Sequence, residues 1–399
     1  MQKSIGVLLF LWCLGFLWAE EPRRYVEFGV DAGGGFGNNY IGFNDIFNYR
    51  KTIYIDLNKV PLNDITLMGN VQADTFMNIN FGERFTFGIF AGVEALFYSS
   101  LPKSLFQLLI QGNANKHLFE GNIAVGASVF TDVGIKTAVQ LGRLRVTFKP
   151  SMYVPLLYMP VSDSSYIFNT QNGITLGGTV ALDMYTVISL ENGLSIAGDD
   201  LMEILKGDAK GFDFSLAGEY GLLPILDVGM VISHIPLIPA LLHHEMRMEL
   251  SYTFAVDNLY DTLIDGDFAL NDPVSDSTYR DDASFRVFRP LRFDCYALFK
   301  PVGTSLFVLK PNIGLSFLTI YGNTPCFNVG LEGQMNIMRF FSVALGTGYT
   351  ERLWKHRLAL GLNLRVVELD AEVSLQAPQL TSSFNLEGLG VSVGLRFGF

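Results

Sequence analysis

Charge is scarce in this chain. Asp, Glu, Lys and Arg make up 17% of its 399 residues, below the quarter usual for soluble domains, so a charge-coated soluble surface is not available. Long apolar runs are also missing. The composition is 49% hydrophobic, yet no stretch of about 20 apolar residues, the length a membrane-spanning helix needs, follows the N-terminal segment. The most apolar region, 222–242, is broken by Pro224, Asp227, His234, Pro236 and Pro239. A helical membrane protein is thereby excluded. Cysteine is limited to Cys13, Cys295 and Cys326, too few for a disulfide-stapled scaffold. Basic residues are outnumbered, 28 Lys+Arg against 39 Asp+Glu, which argues against nucleic acid as a partner. A phosphate loop of the form G-x-x-x-x-G-K is absent.

The N-terminus has the order of an export signal: Lys3, an apolar core from Ile5 to Trp18, then the polar Glu20-Glu21-Pro22-Arg23-Arg24. A cut after Ala19 is expected, although Leu17 stands at the third position before it where a small residue is usual. Lipidation at Cys13 is disfavoured by Trp12 before it. Removing residues 1–19 takes away Lys3 and leaves 27 Lys+Arg against 39 Asp+Glu, a net charge of −12.

From residue 25 onward the chain repeats one unit: ten to twenty residues of strict alternation, then a turn rich in Gly, Pro, Asn or Asp. Phe85, Phe87, Ile89, Ala91, Val93, Ala95 and Phe97 alternate with Arg84, Thr86, Gly88, Gly92, Glu94 and Tyr98. Ile123, Val125, Ala127, Val129, Val133, Ile135 and Val139 do so with Asn122, Gly126, Ser128, Asp132, Lys136 and Gln140. Leu358, Leu360, Leu362, Leu364 and Val366 do so with Arg357, Gly361, Asn363 and Arg365. A soluble β-sandwich also alternates, but its polar face meets bulk water and is dominated by Lys and Glu. Here the polar face is mostly Gly, Ser, Thr and Asn with scattered charges of both signs. An Arg or Lys turned to the lipid midplane costs about 2–4 kcal/mol, which explains why charges share the parity of the glycines.

The expectation is an all-β fold: a closed antiparallel transmembrane β-barrel of about 14 strands, with 12 to 16 allowed, spanning 20–399. Residues 20–48 form either an inward plug, suggested by Gly33-Gly34-Gly35-Phe36-Gly37, or the first strand. Residues 103–112 and 198–207 read as short amphipathic helices at the barrel mouth. Residues 261–282 carry seven Asp against one cation, Arg280, and read as a long surface loop. The spacing of Asp265, Asp267, Asp272 and Asp276 fits no calcium loop.

Catalytic and cofactor readings find little support. Gly390-Val391-Ser392-Val393-Gly394 has the G-x-S-x-G form, but that chemistry needs a strand-to-helix turn. The histidines, His117, His234, His243, His244 and His356, share no motif with a serine, and His243-His244-Glu245 lacks a third spaced metal ligand. No enzyme activity, metal or cofactor is expected. The register assigns the bore-facing, transport-lining positions to Arg84, Glu94, Asp132, Lys136, Arg145, Lys149, Asp213, Glu219, Arg247, Glu249, Lys310, Glu332, Arg357, Arg365 and Glu372. Their signs nearly balance, which favours a small neutral or amphiphilic solute over strong charge selection. The competing expectation is a closed barrel that displays a binding or structural surface.

The last strand carries a resemblance. Leu389, Val391, Val393, Leu395, Phe397 and Phe399 alternate with Gly390, Ser392, Gly394, Arg396 and Gly398. This is similar to the terminal strand of bacterial outer-membrane proteins, in which Val393, Leu395, Phe397 and Phe399 would be the signal read by the barrel-assembly machinery. The resemblance implies passage through the periplasm and insertion into outer-membrane lipid. Strings such as Gly221-Leu222-Leu223-Pro224-Ile225-Leu226-Asp227-Val228-Gly229 and Lys149-Pro150-Ser151-Met152-Tyr153-Val154-Pro155 resemble uncharacterised spirochaete outer-membrane proteins, distantly similar to the long-chain fatty-acid transporter family. That family implies an N-terminal plug in a 14-stranded barrel. Its Asn-Pro-Ala-type plug signature is absent from this chain.

Overall fold

The computed structural model describes residues 24–40, 42, 64–82, 84–111, 117–162, 164–170, 174–187, 209–256, 274–280, 282–301, 306–318, 320, 324–337, 340–364 and 366–399. The expected signal segment, the second helix at 198–207, most of the acidic loop and Arg365 lie outside the described residues.

In chain order the strands are β1 (Val26–Asn38), β2 (Ile65–Phe81), β3 (Phe85–Leu101), β4 (Leu118–Leu141), β5 (Leu144–Met159), β6 (Ser164–Asn169), β7 (Ile174–Thr186), β8 (Gly211–Leu223), β9 (Leu226–Ile238) and β10 (Ala240–Leu242). They continue with β11 (His244–Val256), β12 (Val274–Arg280), β13 (Phe285–Val287), β14 (Leu291–Phe299), β15 (Phe307–Leu318), β16 (Thr324–Ile337), β17 (Phe341–Thr350), β18 (Leu353–Leu364), β19 (Val367–Ala377) and β20 (Gly388–Gly398). Among the described residues two helices accompany them, α1 (Lys103–Gln111) and α2 (Leu380–Phe384).

All pairing is antiparallel, and β1 bonds both β2 and β20, so the sheet closes on itself. The shortest circuit passes β1 to β5, then β8, β9 and β14 to β20, through fourteen strands. At the end where β4 is longest, β6 and β7 bridge β4 and β5, and a circuit taken through them counts sixteen. By either route β11 and β12 stand outside the ring, β11 pairing only with β7 and β12. Closure leaves the wall with no unpaired edge, as a bilayer-spanning sheet requires. Residues 26–38, the glycine-rich stretch included, run in the wall as β1 and do not fold inward.

Side chains follow the expected parity. On β3, Phe85, Phe87, Ile89, Val93 and Phe97 are exposed on the outside, while Thr86 and Leu96 are buried on the inside. The same holds for Leu358, Leu360 and Leu364 on β18 and for Val391, Val393 and Phe397 on β20. Cys295 neighbours the outward Phe293, whereas Cys326 is buried on the inner face, and neither forms a disulfide.

The two ends of the ring differ. At one, neighbouring strands join through tight connections such as Gly142-Arg143, where Gly142 takes φ +62° at the first central position of a two-residue hairpin. The other end receives the long connections and carries α1. This helix is tied down by Ser104 Oγ donating to Glu120 O at 2.6 Å and by Tyr166 Oη donating to Ser104 Oγ at 2.6 Å.

The inner face is not uniformly polar. Aromatic rings lie flat along it where a neighbouring strand offers glycine: a Cβ at Gly134, Gly211 or Gly229 would fall inside 3.0 Å of the ring of Phe90, Tyr153 or Tyr296 respectively. In the long-loop half, Met68, Leu96, Phe130, Tyr153, Tyr158, Leu318 and Leu353 turn inward and form one buried cluster. The inward face, polar at the strand positions read from the sequence, is thus partly apolar in this half. Most of these positions share the parity of the polar face, and Tyr158 joins it past the register shift at Val129 and Phe130, where it pairs with Ser128; parity gives the face of a side chain and not its polarity.

Two outcomes test this arrangement. Leu360→Arg should lower the unfolding free energy in lipid vesicles by about 2–4 kcal/mol relative to Ala359→Arg, which points into the bore. Equal costs would reverse the assigned faces. Gly211→Val should displace the Tyr153 ring and destabilise by about 1–3 kcal/mol, read as a lowered midpoint in denaturant.

Candidate functional site

The bore is occupied by the chain itself. The short strands β10 and β13 pair with each other and with no wall strand, Ala240 opposite Val287 and Leu242 opposite Phe285. Ala240 and Leu242 are fully buried and Val287 nearly so, packed among inward residues of β2, β3, β4, β5, β15, β16 and β18. Only a ribbon inside the ring can touch so many of its strands. Tyr153 Oη donates to Val287 O at 3.0 Å, bonding the ribbon's backbone to the wall. Phe285 stacks on Tyr185 with centroids 4.0 Å apart and lies 5.6 Å from Tyr158. Because β11 and β12 lie between β10 and β13 in sequence, the inner ribbon is the root of an outer one.

A local distortion explains how the ribbon enters. Leu216 pairs with Ile232 but Phe214 pairs with Ile235, so Ser233 and His234 together oppose Ser215. This is a β-bulge, with His234 at φ 60° and its N–H bonded to Ser215 Oγ at 3.2 Å. Pairing between β9 and β14 ends at Ser233 and Arg292. Beyond that point the two segments part, β9 keeping its pairing with β8 to Ile238 before the chain enters the ribbon at Ala240.

Two arginines beside the seam fasten it. Arg289 donates from Nη1 to Asp132 Oδ2 at 2.9 Å and lies 3.7 Å from Asp213 Oδ2; the Arg289 and Asp213 side chains are 7% and 1% exposed. Asp213 also accepts a hydrogen bond from Ser151 Oγ. Arg289 Nη2 meets His234 Nε2 at 2.6 Å, and His234 Nδ1 meets Pro290 O at 3.0 Å. A guanidinium only donates, so Nε2 accepts and the proton sits on Nδ1. Arg292 bonds both oxygens of Glu94 across the bore and donates from Nε to Glu351 Oε1 at 3.0 Å. Glu351 belongs to a two-residue turn in which both Glu351 and Arg352 hold positive φ, 52° and 68°. Neither is glycine, and each such residue costs about 1–2 kcal/mol. That strain is held by Asn328 Oδ1 on the Glu351 N–H at 3.0 Å and by the ion pair itself.

Of the expected bore-lining residues, Glu94, Asp132 and Asp213 belong to this fastening. Lys136, Lys149, Lys310, Glu332, Arg357 and Glu372 line inner cavities of the ring. Arg357 pairs with Glu332 and lies 3.5 Å from Glu372. Glu219 accepts from Tyr296 Oη at 2.8 Å, and Arg145 is its strand partner near the short-turn mouth. Arg84 is exposed at the β2–β3 turn. Arg247 and Glu249 are corrected: they lie on β11 outside the ring, both exposed, 3.8 Å apart, with Asp183 3.8 Å from Arg247. Their alternation is genuine, but it belongs to a sheet that never joins the wall. Arg289, His234 and Glu351 were missed because they lie at a bulge, a connection and a turn, where no parity can be read; Arg292 was legible, since Arg292, Asp294 and Tyr296 alternate with Phe293, Cys295 and Ala297.

The structure also brings a serine and a histidine together. His356 Nε2 is 2.9 Å from Ser383 Oγ, and its Nδ1 is 2.9 Å from Thr347 Oγ1. Ser383, however, is fully buried and its Oγ lies 2.6 Å from Leu380 O. The only hydrogen available to that contact is the serine's own, so His356 donates to Ser383 and accepts from Thr347. A general base needs the opposite arrangement. The trio fastens α2 to β18, helped by the Phe384 ring 4.3 Å from His356. Ser392 of the G-x-S-x-G string lies within β20, where no strand-to-helix turn exists. His243 and Glu245 diverge, one to Ala283 O at 3.2 Å, the other to Arg280 at 3.7 Å.

No protein-family model and no curated protein matches this chain. Among solved structures it is similar to the P. putida toluene transporter TodX, at 7% identity over 97% of this chain and 92% of that one, with a TM-score of 0.48. It is similar to the Ralstonia pickettii toluene transporter TbuX, at 9% identity over 95% and 92%, with a TM-score of 0.47. It is also similar to a Pseudomonas aeruginosa FadL homologue, at 10% identity over 94% and 90%, with a TM-score of 0.47.

Proposed function

We propose that this protein is a bacterial outer-membrane channel or transporter that admits small neutral or amphiphilic molecules, closed at rest by the ribbon of β10 and β13. The observation that carries this reading is the ionic fastening of the ribbon. A bore filled only for stability is served as well or better by apolar packing, since buried ion pairs contribute little net stability. Arg289 and Arg292 instead hold the ribbon through contacts that a change of hydration can exchange. The exposed apolar belt of the outer wall supports placement in lipid. Short turns at one end, in barrels of this type, face the periplasm, which puts the ribbon and α1 on the outer side. The outward row Val393, Leu395, Phe397 and Phe399 suits recognition by the barrel-assembly machinery on the way there.

A second reading is favoured by the same packing: with the long-loop half filled, the barrel is a closed scaffold displaying the β7, β11 and β12 sheet as a binding or structural surface. Planar-bilayer recording separates the two. Removing one partner of a buried ion pair costs the closed arrangement about 3–5 kcal/mol, equivalent to roughly two to four decades in the open-to-closed ratio. Arg289→Ala together with Arg292→Ala should therefore give stepwise conductance where the unaltered protein is mostly silent. A variant that retains its β-sheet circular dichroism in detergent and stays silent would favour the closed scaffold.

A further inference from the structure

Midway along the bore, one row of inward positions carries acid on strand after strand. Asp370 pairs with Gly394, Gly394 with Asp31, Asp31 with Asp74, Asp74 with Gly92 and Gly92 with Asp132. The glycines are required by this arrangement, because a Cβ at Gly92 or Gly394 would fall inside 3.0 Å of a neighbouring aspartate oxygen. With strands about 4.8 Å apart, the carboxylates form an arc on one side of the bore. Cations serve them unequally. Asp132 has Arg289, while Asp31 and Asp370 share Arg396 at 3.8 Å. Asp74 accepts from Gln72 Nε2 at 2.6 Å and has no ion pair among the described residues.

Beside the arc, on β4 and β5, Lys136 and Lys149 point into the same space. Neither forms an ion pair among the described residues, and the Lys149 ammonium lies over the Phe90 ring, 4.5 Å from its centroid. Asp31, Asp74, Lys136, Lys149, Phe76 and Phe90 line one cavity of about 290 Å³. The paired Asp132, Glu94, Arg289 and Arg292 line the same cavity, while Asp74, Lys136 and Lys149 face it without forming an ion pair among the described residues. A solute of single sign gains from one group and is repelled by the other. A solute with an anion at one end and a cation at the other gains from both, and Coulomb energies inside a protein enclosure exceed those in bulk water.

We propose that this cavity binds a small zwitterion, its anionic group at Lys136 and Lys149, its ammonium at Asp74 and Asp31, and its carbon skeleton against Phe76 and Phe90. The inference deepens the channel reading and rests on it, since a site halfway along a passage is where a neutral solute would pause.

The test uses the detergent-folded protein and four probes of equal chain length, 6-aminohexanoate, hexanoate, hexylammonium and hexanol, measured by titration calorimetry. Binding of 6-aminohexanoate at least ten-fold tighter than the other three is expected. Lys136→Gln with Lys149→Gln should abolish its advantage over hexylammonium, and Asp74→Asn its advantage over hexanoate. Equal binding of all four, or an advantage that survives both sets of substitutions, would overturn the site. Bilayer recording of the Arg289→Ala, Arg292→Ala protein keeps the two ideas apart. Silence there with selective binding intact removes the channel and leaves the site, whereas conductance without selective binding removes only the site.

Discussion

Two guanidinium groups three residues apart, on Arg289 and Arg292, hold the interior in its present form. The chain must leave the wall between β9 and β14, cross an apolar enclosure and return, and each passage exposes backbone that loses its partner in the sheet. Unpaired backbone groups in such a place are expensive. Pairing of β9 with β14 ends at the bulge of Ser233 and His234 while pairing with β8 runs on to Ile238, and the arginines tie the departing chain to β3, β4, β8 and the β17–β18 turn. Tyr153 donates its single hydroxyl hydrogen to the Val287 carbonyl at 3.0 Å, with the Ile238 carbonyl beside it at 3.3 Å. Without these contacts the apolar packing of Ala240, Leu242 and Val287 would have no fixed register to pack in.

The wall was legible in the sequence because one physical demand acts on every strand alike. An apolar outer face and an enclosed inner one force alternation, so Phe85 to Phe97 and Leu389 to Phe399 reveal their faces without any knowledge of their neighbours. Strand number was less legible, since β6 and β7 obey the same alternation while bridging β4 and β5 beyond the main circuit. Arg247 and Glu249 were misplaced for this reason: a half-exposed sheet in water and a wall strand in lipid produce the same period of two. Periodicity reports that a strand has two unlike faces, and says nothing about which sheet it joins.

The ribbon was illegible for a different reason. Ala240 to Leu242 and Phe285 to Val287 are three residues each, too short for any period, and their partners lie more than forty positions apart in sequence. The prolines at 236 and 239 break an apolar run and give no direction inward. The glycine run at 33–37 looked like a plug because it lacks side chains. In the structure those glycines leave room for neighbours instead, as where a Cβ at Gly35 would meet the Gln376 side chain. Absence of side chains in a wall signals crowding by others more often than departure from the sheet.

Charge balance in the bore follows from how the two halves are filled. Where the ribbon packs, every ion must be matched, because an unmatched charge would face apolar surface on all sides; hence Arg289 with Asp132 and Asp213, and Arg292 with Glu94 and Glu351. Where the bore is not filled by chain, that demand relaxes, and Lys136, Lys149 and Asp74 stand without ion-pair partners among the described residues. Stability alone would have no use for them there, as three neutral residues would spare the mutual repulsion of neighbouring lysines. Their position beside this space is the observation on which the proposed zwitterion site rests. The same logic separates the two lysines from Arg357, which already has Glu332 and Glu372 at hand. Charges that are satisfied within the wall shape it, and those that are not are free to select what enters.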